Sequence, residues 1–382
     1  MYTVGKRPLL VAAAAALTLG ALAAPAVAQT ATVPIGFSGP LSGAQTAAGQ
    51  DNLGGLQLAV QELNAKPISV NGKPVRFEIV AEDDQADPRQ GVSVAQKLVD
   101  RGVHFVVGPY NSGVTLPASR VYHEAGVVVA TVASNPKVTE QGHQRLFRVG
   151  ASDSQLGAKM AVYAAKELKL KKVAIIDDRT AYGVGVADEF AREAKANGLT
   201  VTGREYTSDK AADFTATLTT LKAGKPDAIF FGGYSPQAGP MARQMKSLGV
   251  TAKLLGGDGI CSSETAKLAG GDLVGDNVWC TQGGAMLNRV NNGQAFVDKY
   301  KAAHKRDPLT YAVSFYDAMH LIADAMQRAN STAPDKVAAA LASGNYSGVA
   351  GSYAFDAKRD LKSSPVTVFT FKGGQPVPVA GL

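Results

Sequence analysis

The chain has 382 residues, 46% of them hydrophobic and 19% charged, with 39 Lys plus Arg against 32 Asp plus Glu for a formal charge of +7, and only 2 Cys. These proportions exclude a disordered polyelectrolyte and a coiled coil, and the length suits two globular domains of ordinary size. The basic residues are scattered, with no stripe interleaved with aromatics, so no nucleic-acid surface is expected.

In chain order, Lys6 and Arg7 precede an apolar run over residues 9–24, followed by Ala26-Val27-Ala28. This is the order of a secretory signal, residues 1–28, with cleavage after Ala28. The run is Ala-rich and shorter than the ~20 residues a membrane span needs, which argues against an uncleaved anchor. An exported protein meets an oxidising compartment, where the only cysteine pair, Cys261 and Cys280, is expected to be joined as a structural disulfide. The five histidines show no metal-ligand spacing, so no metal is expected.

Short apolar, β-branched runs predict strands at 33–37, 75–80, 105–108, 127–132, 173–176, 201–206, 228–231 and 253–255. Stretches of helical periodicity alternate with them at 54–65, 91–101, 116–124, 155–168, 185–197, 214–223 and 238–248. Alternation of this kind, with near-continuous apolar strands, implies an α/β architecture of parallel sheets covered on both faces. The strand series 31–149 and 173–258 read as two lobes, with a crossover near 147–153 that shows neither periodicity. Later helical stretches at 294–304 and 314–329, and a β-like run at 366–371, complete either lobe or form a third.

Ligands of open parallel sheets bind beyond the carboxyl ends of the strands, so the loops there carry the candidates. After residue 108 comes Tyr110-Asn111-Ser112-Gly113, where Ser112 offers a hydroxyl at a helix N-terminus suited to a carboxylate or phosphate, or acts as an ordinary cap. After residue 132 comes Ala133-Ser134-Asn135-Pro136, which serves the same anion, meets an ammonium, or simply makes an Asn-Pro turn. In the second series Tyr182 and Tyr234 stand in glycine-framed loops, as pocket walls or as loop packing. Asp258, in Gly257-Asp258-Gly259, is a compact anionic point or a turn residue. If Asp258 faces Ser112 across a cleft, the pair suits a zwitterion, ammonium on one side and carboxylate on the other.

Catalysis finds no support. No Gly-x-Ser-x-Gly elbow, Walker loop or dinucleotide fingerprint follows a strand, and Gly183-Val184-Gly185 stops short because position 188 is Asp. The acids Glu82, Asp83, Asp84 and Asp87 are expected in a solvated turn or hinge contact rather than at a metal or acid pair. No cofactor is expected.

Several motifs carry a resemblance. Ile35-Gly36-Phe37-Ser38-Gly39-Pro40-Leu41-Ser42-Gly43, Gly54-Gly55-Leu56-Gln57-Leu58-Ala59-Val60, Asp83-Asp84-Gln85-Ala86-Asp87-Pro88, Val107-Gly108-Pro109, Tyr182-Gly183 and Phe231-Gly232-Gly233-Tyr234 keep the order seen in periplasmic leucine/isoleucine/valine-binding proteins. The chain resembles these type I periplasmic binding proteins, the substrate-binding subunits of ABC importers. The resemblance implies two Rossmann-like lobes joined by three crossovers, the first from residues 31–149 and 283–354, the second from 150–282 and 355–382. It also implies a monomer in the periplasm that captures an amino acid, branched-chain or otherwise hydrophobic or aromatic, by hinge closure and presents it to a membrane permease.

By motif position the resemblance gives Ser112, with the backbone of Ala133 and with Ser134 beside it, to the ligand carboxylate. Asn135 stands where a threonine contacts both carboxylate and ammonium, Tyr182 and Tyr234 meet the ligand from the second lobe, and Asp258 partners the ammonium. Departures are Ala47-Ala48 before Gly49 where relatives place an aromatic, the shape of Asn135 and Asp258, and a cysteine pair in the second lobe instead of the first. Urea, short amides or aromatic carboxylates are the alternative ligands. A sensory partner of a receptor is the alternative role, and a secreted hydrolase using Ser112 is a weaker one.

Overall fold

The structure, a computed structural model, describes residues 1–5, 31–271, 277–284, 286–290 and 292–379. The charged, apolar and cleavage parts of the expected signal segment lie outside the described residues. Among the described residues no helix is long and apolar enough to cross a membrane.

The first sheet is built from β1 (Ala31–Gly39), β2 (Ile68–Val70), β3 (Lys73–Asp83), β4 (Phe105–Val107), β5 (Val128–Thr131) and β6 (Leu146–Arg148), in the order β2-β3-β1-β4-β5-β6. Only the β2–β3 hairpin pairs antiparallel. Strand alternation sends successive side chains to opposite faces. Ile35 and Phe37 of β1 join one core, whereas a Cβ on the intervening Gly36 would meet Leu98, Val103 and Val106 in the other. Helices α1 (Thr46–Ala65), α2 (Pro88–Asp100) and α3 (Ser112–Glu124) supply most of that cover, and a short α4 (Lys137–Glu140) follows β5.

The second sheet holds β7 (Lys172–Asp177), β8 (Thr200–Tyr206), β9 (Ala228–Gly232), β10 (Lys253–Gly256) and β11 (Val278–Gly283). Along β7, Ala174 and Ile176 enter one core while Val173 and Ile175 enter the other, so every apolar position of the strand is buried. This is why the sequence shows a continuous apolar run there rather than an alternating one. One face carries α5 (Asp153–Lys166) and α6 (Ala181–Ala196); the other carries α7 (Thr215–Ala223), α8 (Ser235–Ser247) and α9 (Ser263–Ala269).

The late elements divide between the sheets. Helices α10 (Gly293–His304), α11 (Ala312–Ala329) and α12 (Pro334–Ser343) return to the first, α11 lying along α1 with Phe315 against Phe37 at 5.8 Å between ring centroids. A small hairpin of β12 (Tyr346–Ser347) and β13 (Ser352–Tyr353) follows, and β14 (Val366–Lys372) with β15 (Gln375–Pro378) then adds an antiparallel edge to the second sheet, order β15-β14-β11-β10-β9-β7-β8. Residues 355–361, placed by the sequence in the second lobe, pack with the first: Phe355 bridges to Leu361 and meets Phe147 at 4.9 Å. The α/β architecture read from the sequence is the one observed.

Three local differences stand out. The 147–153 region is not simply a crossover, because Leu146–Arg148 forms the edge strand β6 and α5 begins at Asp153 behind a Ser152–Gln155 capping box. Helices α1, α3, α6 and α8 start earlier than their apolar periodicity indicates, which places Ser112 and Tyr182 in first turns. The acidic turn is also partly buried: Asp84 is fully enclosed and accepts from Ser38 at 2.8 Å, Asp87 caps α2, and Glu82 pairs with Lys97 and Arg101. The expected disulfide Cys261–Cys280 is present, with both residues buried and Cα atoms 5.3 Å apart.

Candidate ligand-binding site

The carboxyl ends of both parallel sheets point at one cleft. From the first, β4 leads through Tyr110 and Asn111 into α3, so the Ser112 and Gly113 N–H groups lie in the first helical turn, where no acceptor of the helix itself reaches them. The buried Ser112 hydroxyl accepts from the Asn135 N–H at 3.2 Å, which leaves its own proton free to donate. Ser134 stands beside it on the loop after β5. These donors at a helix N-terminus favour a carboxylate.

From the second sheet, β10 ends in the single 3-10 turn Asp258–Ile260. Asp258 is buried, and burial pushes its carboxyl above the usual range although two tyrosine hydroxyls bond to it. Tyr182, from the first turn of α6, donates to Oδ1 at 2.7 Å and itself accepts from the Gly259 N–H at 2.8 Å. Tyr311, at the start of α11, donates to Oδ2 from the opposite lobe. A Cβ on Gly259 would lie 2.7 Å from the Tyr182 ring and 2.5 Å from the Gly233 carbonyl, so glycine is what lets this loop close on the tyrosine. Tyr234 packs on Tyr182 with ring centroids 4.9 Å apart, and burial by the site drives both phenols well above their ordinary range.

Ser112, Ser134, Tyr182, Tyr234 and Asp258 thus line one small chamber, with about 210 Å³ of space between atoms, part of it open to solvent. Tyr110, Val132, Gly259 and Tyr311 complete it. Two expected residues do not reach its wall. The Ala133 N–H is taken by the Thr131 hydroxyl and its carbonyl by Arg148, and the Asn135 amide donates to the Ala181 carbonyl at 2.6 Å while its oxygen accepts from the Lys137 N–H. Both hold the wall from behind, and Asn135 ties the two lobes together.

Sequence reasoning missed the groups that position this wall. Arg148, fully buried, donates to the carbonyls of Ala133 and Asn135 at 2.7 and 2.9 Å, to Thr139, and to Asp360. Asp51 in α1 fixes the turn that carries Tyr311 by accepting from the N–H groups of Leu309 and Ala312, and burial raises its carboxyl to about 6. Asp153 is fully buried where the lobes meet; burial, aided by the nearby Asp258 charge, pushes it well above the usual range. A Tyr placed just before a long helix, as Tyr311 is, was the one available signal. Among the described residues no group of three His, Cys, Asp or Glu side chains could hold a metal ion.

Comparison with known proteins identifies the family of the chain. Residues 32–375 match the periplasmic binding protein family model. A Leu/Ile/Val-binding protein homolog 2 of Brucella abortus is 36% identical, over 94% of this chain and 95% of that one. The crystal structure of a leucine binding protein, LivK, from Thermotoga maritima superposes with a TM-score of 0.83 at 30% identity, covering 91% of this chain and 98% of that one. A LivJ branched-chain amino acid transporter substrate binding protein from Streptococcus pneumoniae, solved with isoleucine, gives 0.81 at 28%, covering 91% and 100%. The chain is a binding protein rather than an enzyme, and it belongs to the periplasmic binding protein family.

Proposed function

We propose that this protein captures a free amino acid between its two lobes and delivers it to the membrane permease of an ABC importer, working as a monomer in the periplasm after removal of residues 1–28. The observation that carries this reading is the pairing of opposite chemistries across one buried chamber: the hydroxyls of Ser112 and Ser134 with the N–H groups at the start of α3, and the carboxylate of Asp258. Burial of a zwitterion is costly unless each charge meets its partner, and this chamber supplies both. Tyr182 and Tyr234 come from one lobe and Ser112 and Ser134 from the other, so a ligand makes its full contacts only when the cleft is closed. The ligand therefore shifts the balance between open and closed forms by its differential affinity. The names of relatives that bind leucine, isoleucine or valine support the ligand class.

Titration calorimetry of the ligand-stripped protein with single L-amino acids, followed by recovery of the ligand, tests the reading. Saturable binding with one site per chain and return of the amino acid unchanged is the expected result. Hydrolysis of the ligand, or binding of urea and simple amides but no amino acid, overturns it.

A further inference from the structure

Beside the small chamber lies a second one, of about 510 Å³ of space between atoms, part of it open to solvent. The two share a wall of Tyr110, Tyr234, Asp258, Gly259 and Tyr311. On its far side the second chamber is bounded by Ala44, Ala47 and Ala48 of the first lobe and by Pro236, Leu268 and Leu309. Asp51, Glu264 and several uncharged polar side chains line it too, but apolar groups make up much of its wall, and the three alanines at and just before the start of α1 leave it roomy.

Tyr110 stands in the shared wall, held by ring contacts alone. Its ring centroid is 5.9 Å from that of Tyr311 and 6.1 Å from that of Tyr234, in edge-on and tilted contacts. Its neighbours are anchored through their hydroxyls or deep burial: Tyr182 and Tyr311 both bond to Asp258, and Tyr234 is 5% exposed. Tyr110 is only half-buried, and its hydroxyl makes no hydrogen bond among the described residues. Ring contacts of this kind are worth little compared with the cost of breaking a buried, charge-assisted hydrogen bond. Of the rings between the chambers, Tyr110 is the one that turns aside most cheaply.

We infer that Tyr110 is the specificity-determining partition of the site: it moves for a large apolar side chain, of phenylalanine size, which passes from the Ser112–Asp258 chamber into the alanine-walled one and stacks on the displaced ring. This rests on the amino-acid reading above and names the ligand class within it. Small side chains stay in the first chamber and gain nothing from the second. Aromatic ligands gain most, because Tyr110, Tyr234 and Tyr311 offer ring faces and edges to a flat group.

The test compares phenylalanine, leucine, valine and alanine as ligands of the wild type, Tyr110→Ala and Ala48→Trp by titration calorimetry. The second variant refills the chamber from the opposite wall without touching Tyr110. Phenylalanine is expected to bind the wild type more tightly than alanine, and to lose at least about tenfold in affinity in either variant, while alanine changes by less than about threefold in Ala48→Trp, which leaves the wall of the small chamber untouched. Equal losses for phenylalanine and alanine, or no loss in either variant, would overturn the partition while leaving amino-acid capture intact. Failure of every amino acid to bind the wild type would overturn both.

Discussion

The hydroxyl of Tyr311, at the head of α11 in the first lobe, donates to Asp258 Oδ2 in the second, while Tyr182 of the second lobe holds Oδ1 at 2.7 Å. One buried carboxylate is therefore gripped from both sides of the cleft, and the same atoms that face the ligand also fasten the lobes. Its charge is costly to bury, which its raised proton affinity reflects.

Asp258→Ala is expected to weaken amino-acid binding by about 2–5 kcal/mol, because the ligand ammonium is left without a partner in a desolvated chamber. The wild-type affinity should also fall as pH drops through the raised Asp258 value, since the protonated acid no longer pairs with a cation. Calorimetric titrations of both proteins at several pH values read the two effects. Unaltered affinity in the variant removes Asp258 from the site.

Tyr311→Phe deletes one of the bonds between lobes without altering ring packing. Hydrogen bonds to charged groups contribute about 1.5–3 kcal/mol, so the closed population of the ligand-free protein should fall by roughly tenfold or more. Small-angle scattering should register a larger radius of gyration, reversed by ligand.

Gly185 in α6 lies so close to the opposite lobe that a Cβ there would sit 2.4 Å from Asn135 Nδ2, and it would also sit 2.6 Å from Asp153 Oδ2 of its own lobe. Gly185→Ala should prop the lobes apart, weakening ligand binding while each lobe keeps its fold. Circular dichroism unchanged from wild type, together with reduced affinity, is the expected pair of results. Full affinity would show that closure does not need this contact.

The loops of the site were legible because strands such as β7 and β9 announce themselves by uninterrupted apolar runs, and the loops beyond their carboxyl ends line the cleft. Tyr311 was not. Tyr311 belongs to no strand end, and only the return of α11 onto α1 brings it opposite Asp258. The three-residue strand β6 was hidden by its length and by Arg148, a cation whose burial is intelligible only once Asp360, far along the chain, is seen beside it. Asn135 reads as a ligand residue from its position, but its amide finds Ala181 across the cleft first.

Asp51 gives a pH signature of folding. Its carboxyl, near 3.8 in an unfolded chain, rises to about 6 because burial outweighs the bonds from Leu309, Tyr300 and Ala312. The native state thus holds this proton more tightly than the unfolded one, so its contribution is greatest below about 3.8, is lost as pH rises to about 6, and is flat above. Asp51→Asn should flatten the fall of melting temperature between those values. It should also lower stability at neutral pH, since the amide cannot accept from both Leu309 and Ala312 on separate oxygens.

Cleavage of the Cys261–Cys280 disulfide, which spans 19 residues, should cost about 3 kcal/mol in the chain-entropy account. Cys261→Ala with Cys280→Ala, followed by denaturant unfolding, measures it. A midpoint equal to wild type contradicts a stabilising role.

The most direct test of zwitterion capture is thermal unfolding of the ligand-stripped protein with matched pairs, each amino acid against the same acid lacking its amine. At a concentration of ~100 times the dissociation constant, a true ligand adds about 2.7 kcal/mol of stability, a readily visible shift. The paired charges at Ser112 and Asp258 predict a shift with the amino acid and little or none with its amine-free partner. Equal shifts from both members of a pair would contradict Asp258 as the ammonium site and, with it, the central reading of the cleft.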